Sequence, residues 1–367
     1  MTQLTALLAI TLRNLRIAIR RPDLLVQTMA VPVVVLGLAS IIFGGTDAWP
    51  IAVIDRSHGS DARAVVTATE EVRGATGPYF RTITTDPRLA DRLLREGRIQ
   101  LVLTIPEGYP ADRQVEARTF NINTDAMKNV RLRLTTMANL HDRLESVAGV
   151  TARIDKARPD DVTRAAFMGG SAVILALLLG SALIAANLFA LDTEHRTRKE
   201  VALTPVGGHQ AAAGAVLAGW ILSLATAVPI IVLALAFGTR ASLGDLGQAA
   251  LVVLPSALTA AAVGVLAAMA LRTHRLIQPT LILLALGSYF ASGGFMPVSA
   301  LPPLARGLAT WWPPAYTFEW SNPVLHGVTP HPASGALVAL AAAAVVTVLA
   351  ALLTSRRHHL APGVQGQ

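Results

Sequence analysis

The chain has 367 residues, of which 53% are hydrophobic and only 15% are charged, and it contains no cysteine. A soluble domain usually carries about 25% charged residues, so this composition excludes a disordered chain and argues against a single water-soluble globule. Without cysteine, the chain has no disulfides, thiolate metal ligands or cysteine nucleophile. The formal net charge of +8 fits binding to nucleic acid or to a membrane surface, and the positions of the charges decide between the two.

The N-terminal segment, residues 1–22, predicts an amphipathic helix. Its apolar face carries leucines and an isoleucine at helical spacing: Leu4, Leu8, Leu12, Leu15 and Ile19. Three arginines fall on another face: Arg13, Arg16 and Arg20. We expect this helix to lie in the cytoplasmic interface, with its arginines at lipid phosphates or at a protein partner. The alternative is an ordinary helical extension of the first membrane span.

Six stretches are long and apolar enough to cross about 30 Å of hydrocarbon as helices. They cover residues 23–45, 166–191, 211–238, 246–271, 276–296 and 333–354. Because a charge at mid-bilayer costs roughly 2.5–3.5 kcal/mol or more, the absence of charged residues from their interiors indicates membrane spans. Prolines in four of them predict kinks, since neighbouring helices can satisfy the freed carbonyls: Pro32, Pro229, Pro255 and Pro279. The predicted fold class is an α-helical polytopic membrane protein with six transmembrane helices.

The short loops show a strong charge asymmetry. Eleven basic residues fall on one side: Arg13, Arg16, Arg20, Arg21, Arg196, Arg198, Lys199, Arg272, Arg275, Arg356 and Arg357. The short loops on the other side hold only Arg240 and Arg306. The positive-inside rule therefore predicts a multi-pass protein of the plasma membrane, with the N-terminus and the tail at residues 355–367 both in the cytoplasm. The arginine-rich composition is typical of a GC-rich genome, and we expect a bacterial protein.

The segment at residues 46–165 is the polar exception, with eighteen basic and seventeen acidic residues, and the orientation places it outside. Its apolar runs predict strands and helices in alternation, at 50–55, 61–73, 80–83, 86–95, 99–105, 115–122 and 127–150. This order predicts an inserted, extracytoplasmic α/β domain. Nearly all the excess positive charge then lies at the cytoplasmic face, and no basic stripe with interleaved aromatic residues is present, which disfavours nucleic acid as a partner.

Motifs for catalysis are missing. No lysine follows a glycine, so the chain lacks the Gly-Lys-Ser/Thr sequence that cradles nucleotide phosphates. It also lacks H-E-x-x-H and G-x-S-x-G. We therefore predict no catalytic residue, no metal ligand and no cofactor-binding residue, and the acid-free spans argue against a proton relay.

A charge-rich segment follows the second span. Residues 192–210 begin with Asp192, Glu194, Arg196 and Thr197 and then run through a short apolar stretch into Thr204 and Pro205. A short helix with alternating charges at the membrane surface could dock on a soluble subunit, and a solvated loop is the alternative interpretation. We call residues 192–210 the coupling loop.

A proline- and aromatic-rich segment follows the fifth span, at residues 297–332. Its prolines predict short outward-facing or re-entrant helices rather than a simple span. One interpretation is an aromatic belt at the membrane surface. The other is an outer gate, formed with Phe295, Pro297 and Tyr316, in which Glu319 is a buried polar contact. We call residues 297–332 the outer segment.

In these two segments the sequence resembles the membrane subunits of ABC-2 type transporters, in their long-extracytoplasmic-loop branch. Asp192 and Glu194 match acidic positions of the family's loop, Thr197 matches its threonine, and Thr204-Pro205 match its end, whereas Arg196 stands where the family usually has glycine. The run Gly-Phe-x-Pro, Leu-Pro-Pro and Pro-x-x-Tyr is similar to the family's outer re-entrant segment.

The resemblance implies an ABC-2 fold of the type V exporter kind and an ATP-driven exporter. Two permeases, as a homodimer or heterodimer, would meet two separate ABC ATP-binding subunits, which carry the ATP and magnesium, while this chain binds no cofactor. The coupling-loop residues named above would contact the ATPase. The nearly uncharged spans suit lipophilic drugs, antibiotics or lipids as cargo. The alternative function is a membrane-anchored receptor or envelope assembly scaffold that acts through its outer domain.

Overall fold

The structure is a computed structural model that describes residues 3–43, 48–74, 77–96, 98–111, 114–119, 124–145, 162–194, 208–271, 274–295, 298, 301, 303–327 and 336–360. The chain forms two compact units. The first combines Met1–Gly44 with Val162–Gln367, and the second is Gly45–Asp161, which interrupts the first in sequence.

Within these ranges, the elements of the chain follow one another as α1 (Gln3–Arg20), α2 (Pro22–Phe43), β1 (Trp49–Asp55), α3 (Ser60–Glu71), β2 (Arg73–Gly74), β3 (Gly77–Pro78), β4 (Phe80–Thr84), α4 (Pro87–Arg95), β5 (Leu101–Ile105), β6 (Glu116–Arg118), α5 (Thr124–Glu145), α6 (Arg164–Glu194), α7 (Gly208–Ala236), α8 (Leu243–Leu271), α9 (His274–Ala291), α10 (Pro303–Ala309), α11 (Pro313–Val324) and α12 (Ala336–Leu360).

The first unit is a bundle of apolar helices. Among the described residues, α2, α6, α7 and α8 are long and apolar enough to cross a membrane. The described parts of α9 and α12 have shorter apolar stretches, Arg275–Ala291 and Leu340–Ser355. The four predicted proline sites lie inside α2, α7, α8 and α9, and each helix continues past its proline. The architecture is that of a multi-pass membrane protein.

Helix α6 lies at the centre of this bundle. From Met168 to Leu191 every residue of α6 is buried except the partly buried Leu178, and α2, α7, α8 and α9 all contact the helix. Small residues let the neighbours approach closely: a Cβ atom on Gly264 of α8 would clash with the Ala182 carbonyl oxygen, and one on Gly219 of α7 would lie 2.7 Å from the Ala185 nitrogen. Helices inside a membrane associate through such close packing, because lipid supplies no hydrophobic drive between them.

The second unit has a four-stranded sheet in the order β4-β1-β5-β6, with β1 parallel to β4 and β5 and antiparallel pairing between β5 and β6. The continuous apolar run of β1 is typical of a strand buried on both faces. Ile51 and Val53 belong to a buried cluster with residues of α3 and α5, and Ala52 and Ile54 belong to another with residues of α4.

Candidate functional site

Helix α1 buries a face of small and polar residues rather than its leucines. The buried residues are Ala6, Thr11, Asn14 and Ala18, and the leucine face is largely exposed, as at Leu4, Leu8, Leu12 and Ile19. The buried face contacts α7, where a Cβ atom on Gly214 would lie 2.5 Å from the Cγ2 atom of Ile10. The interfacial position of α1 stays a prediction, and the exposed leucine face is compatible with the contact with lipid hydrocarbon that it requires.

The arginine face of α1 is joined to α6 by an ion pair. The Arg13 guanidinium donates two hydrogen bonds to the Asp192 carboxylate, from Nη1 to Oδ2 at 3.1 Å and from Nη2 to Oδ1 at 2.5 Å. The Asp192 side chain is 15% exposed and the Arg13 side chain 38% exposed, so the pair is partly shielded from water. The hydrogen bond to Asp192 raises the pKa of Arg13 above its ordinary value. A bidentate pair of this kind fixes the orientation of both groups as well as their distance.

The other two arginines of α1, Arg16 and Arg20, are exposed. They lie on a third face of α1, separate from its buried face and from its leucine face. Their positions suit the predicted contact with anionic groups outside the chain, such as lipid phosphates.

The structure places only part of the coupling loop. Asp192 lies near the end of α6, and Glu194 is the last residue of that helix. Arg196, Thr197, Thr204 and Pro205 lie outside the described residues. The loop's first acidic residue is therefore engaged by α1 within the same chain, a contact that the sequence interpretation, which assigned Asp192 to the ATPase surface, did not include.

The opposite end of α6 carries part of the predicted outer gate. The Arg164 guanidinium lies over the ring of Phe295, 5.1 Å from its centroid, and the Phe290 ring lies 5.6 Å from the Phe295 ring. The Tyr316 hydroxyl donates a hydrogen bond to the Thr310 carbonyl oxygen at 2.8 Å, which ties α11 to the end of α10. Pro297 lies outside the described residues.

Glu319 is not the buried polar contact that the sequence interpretation expected, because its side chain is exposed. The cause is the helical period of α11. Phe318, Ser321 and Asn322 form the buried side of α11, and Glu319 falls on the other side with the partly exposed Tyr316. In the single chain, the Glu319 carboxylate is therefore accessible to solvent or to another molecule.

A buried polar cluster at this end was missed by sequence reasoning. The Asn322 amide nitrogen donates hydrogen bonds to the Ser171 hydroxyl at 2.7 Å and to the Phe167 carbonyl oxygen at 3.3 Å. The Thr239 hydroxyl donates to the Ala166 carbonyl oxygen at 2.9 Å. These bonds fasten α11 and the α7–α8 connection to the first turns of α6. The only sequence signal is an asparagine in an apolar setting, and its partners are remote in the chain.

The Arg13–Asp192 ion pair and the buried polar cluster around Asn322 lie at opposite ends of α6. Helix α6 has 31 residues, so about 46 Å separates its two ends. Arg13 and Asp192 mark one end, and Arg164, Phe295 and Asn322 mark the other. A single buried helix therefore connects the coupling-loop end of the bundle to the outer-segment end.

The sequence matches the family described as ABC-2 family transporter protein over residues 23–353, which is most of the chain. No curated protein and no solved structure matches it. The family match spans the apolar helices, the second compact unit, the coupling loop and the outer segment together. The chain belongs to the ABC-2 family of transporter proteins.

Proposed function

We propose that the chain is the membrane-spanning permease subunit of an ATP-driven exporter, and that a separate ABC ATP-binding subunit hydrolyses the ATP. Family membership supports a transport role in the membrane, and the sequence has no Gly-Lys-Ser/Thr motif with which to hold nucleotide phosphates. The energy for transport then has to come from a partner, which carries the ATP and magnesium.

The observation that carries the proposal is the ion pair between Arg13 and Asp192. It joins α1 to the last turn of α6, where the coupling loop begins. A partner that displaces the loop acts on α1 and α6 at once, and α6 extends through the whole bundle. The docking residues in this proposal are Glu194, Arg196, Thr197, Thr204 and Pro205, with Asp192 holding the start of the loop against α1.

The proposed topology has six crossings with both termini in the cytoplasm. Helix α9 has 18 residues and α12 has 25, so they are about 27 and 37 Å long, close to the thickness of the hydrocarbon core. An even number of crossings agrees with the basic residues near both chain ends. Residues 46–165 then form the extracytoplasmic domain, residues 355–367 the cytoplasmic tail, and two permeases pair with two ATP-binding subunits.

The proposed cargo is lipophilic: a drug, an antibiotic or a lipid. The described membrane helices expose apolar side chains to their surroundings, and their interiors carry no acidic or basic residue that could hold a strongly charged solute. ATP binding changes the affinity for such cargo only if the inward- and outward-open states bind it differently. The proposed gate residues are Phe295, just before the outer segment in sequence, and Pro297, Tyr316 and the exposed Glu319 within it.

The test uses the permease purified in lipid nanodiscs together with the ABC ATP-binding subunit that we propose as its partner. Glu194→Arg and Thr197→Trp change the docking surface, and we expect each to lower the permease-dependent ATPase rate about tenfold or more, the change that a loss of about 1.4 kcal/mol produces. Glu107→Arg is the matched charge reversal, because Glu107 is exposed in the second compact unit, and it should leave the rate unchanged.

Two results would overturn the proposal. One is normal ATPase coupling and export in both docking variants. The other is transport by the purified permease without any ATP-binding protein. Retention of the outer domain's ligand binding with no transport at all would favour the receptor or scaffold function instead.

A further inference from the structure

The first compact unit contains a cavity of about 240 Å³ among its membrane helices. Its walls come from α6, α8, α9 and α12, and residues at the start of α11 close one side. It lies entirely within one chain, so it does not need a second permease or an ATP-binding subunit to form.

The chemistry of the wall is almost purely hydrocarbon. None of the described residues that line the cavity is charged. The hydroxyl groups of Thr259 and Thr347 donate to backbone carbonyl oxygens of their own helices, at 3.0 and 2.7 Å. Ser256 is hydrogen-bonded to the Val252 carbonyl oxygen and to the Thr317 hydroxyl, and Ser288 accepts from Trp312.

These bonds use the donor hydrogens of Thr259, Thr347 and Ser256, so Ser288 is the one hydroxyl among the described lining residues whose hydrogen none of these bonds uses. A buried water needs two to four polar partners, and an apolar cavity of about 150 Å³ stays dry and takes up benzene. At the volume per nonhydrogen atom that benzene has in such a cavity, the cavity between these helices has room for about ten nonhydrogen atoms. The occupant is therefore an uncharged group of that size without an obligatory hydrogen bond.

The cavity also has an opening. Two of its lining residues are exposed, Leu284 of α9 at 45% and Trp312 at 39%. The Trp312 indole nitrogen donates to the Ser288 hydroxyl at 3.0 Å, which holds the large ring across the gap between α9 and the start of α11. A molecule dissolved in the lipid phase can enter beside Leu284.

We propose that this cavity binds one uncharged hydrocarbon group of about ten nonhydrogen atoms, either a short alkyl chain or a fused aromatic ring, with Trp312 at its mouth. Such a group is supplied by a lipophilic molecule dissolved in the membrane or by the end of a lipid acyl chain. The inference is independent of the ATP-binding partner, so it can fail while the proposed function stands.

The test is photolabelling of the purified full-length permease with an octyl diazirine, an uncharged alkyl probe that fits the volume, followed by peptide mass spectrometry. We expect saturable labelling of the lining peptides of α8, α9 and α12. Naphthalene should displace the probe, and octylammonium should not, because the wall cannot solvate a charge.

Two neighbouring alanines on α12 give a matched pair of variants. Ala343 lines the cavity and Ala342 is exposed on the other side of the helix. Ala343→Phe fills the cavity and should lower saturable labelling about tenfold, whereas Ala342→Phe should not change it. Ala260→Leu, on α8, is a second filling variant for the case in which Ala343→Phe does not fold.

Labelling in nanodiscs and in a short-chain detergent distinguishes a lipid acyl chain from a diffusible lipophilic molecule as the source of the bound hydrocarbon group. A lipid chain that fills the cavity protects it in phosphatidylcholine nanodiscs and not in detergent, whereas a site for diffusible molecules is labelled in both. Labelling that does not saturate in either medium, or that the filling variants leave unchanged, would overturn the proposal, as would displacement by octylammonium.

Discussion

Arg13 and Asp192 are the residues on which the coupling end of the bundle depends most directly. They are 179 positions apart in sequence and meet as a bidentate pair. Arginine suits this position better than lysine, because its planar guanidinium donates two parallel hydrogen bonds to one carboxylate. Asp192 is more deeply shielded than Arg13, so removal of the arginine leaves a poorly hydrated carboxylate.

A charge-swap series tests this pair. Arg13→Asp and Asp192→Arg each place two like charges together and should lower the thermal midpoint of the purified permease and its coupling to ATPase. The double variant restores opposite charges. We expect a favourable coupling energy of about 1 kcal/mol in the double-mutant cycle, a value reduced by the exposure of Arg13.

The control in this series is Arg16→Asp, since Arg16 is exposed on the same helix. Any effect of Arg16→Asp on the thermal midpoint or on ATPase coupling should not be rescued by Asp192→Arg. If the Arg13 and Asp192 effects simply add, the pair does not stabilise the contact between α1 and α6.

At the scale of elements, the close crossings of α7 and α8 with α6 set how tightly these helices of the bundle pack. Gly264 of α8 and Gly219 of α7 both contact the α6 backbone, at Ala182 and Ala185. Hydrogen bonds reinforce the contacts between these helices: the Ser181 hydroxyl donates to the Ser223 hydroxyl at 2.8 Å, and the Trp220 indole donates to the Leu254 carbonyl oxygen at 3.0 Å. A methyl group at either glycine would force the helices apart.

Gly264→Ala is therefore predicted to destabilise the permease by about 1–3 kcal/mol or more, the usual cost of overpacking a closely packed interior. The reason is that the new Cβ atom would meet backbone, which cannot rotate out of the way. The measurement is the thermal midpoint in detergent, together with the yield of monodisperse protein.

Gly247→Ala provides the matched control on the same helix, because nothing lies within 4 Å of a Cβ atom at Gly247. Alanine is the better helix former, so this variant should be neutral or slightly more stable. Equal losses in the two variants would show that the crossing at Ala182 is not the cause.

At the scale of the whole molecule, the number of membrane crossings is a testable property of the proposed topology. Four helices reach the required length and hydropathy, and the described parts of α9 and α12 are apolar over shorter stretches. The absence of cysteine makes the test simple, because any single cysteine that is introduced is the only reactive thiol.

Single-cysteine variants at Glu107, Leu243 and Leu304 are expected to react with a membrane-impermeant maleimide in intact cells. All three residues are exposed, and the proposed topology places them outside. Gln365→Cys, in the tail, should react only after the cells are permeabilised. Labelling of Gln365→Cys in intact cells would contradict six crossings with both ends inside.

The elements of the fold followed from local patterns. Hydropathy, proline positions and apolar periodicity depend on neighbouring residues, so the helices at Pro22–Phe43 and Arg164–Glu194 and the strand at Trp49–Asp55 lie close to where the sequence predicts them. The helical period also predicted that α1 has distinct leucine and arginine faces. The missing phosphate-binding motif needed no structure either, since it is a matter of residue order.

The contacts between elements were decided only by the tertiary structure. The sequence predicted an amphipathic α1 but not that Ala6 and Asn14 would be buried while the leucines stay exposed. The same holds for the pairing of Arg13 with Asp192, the bonds from Asn322 to Ser171 and the exposure of Glu319. The physical reason is that periodicity tells which residues share a face of a helix, and only the packing of helices tells which face meets a neighbour, a cavity or lipid.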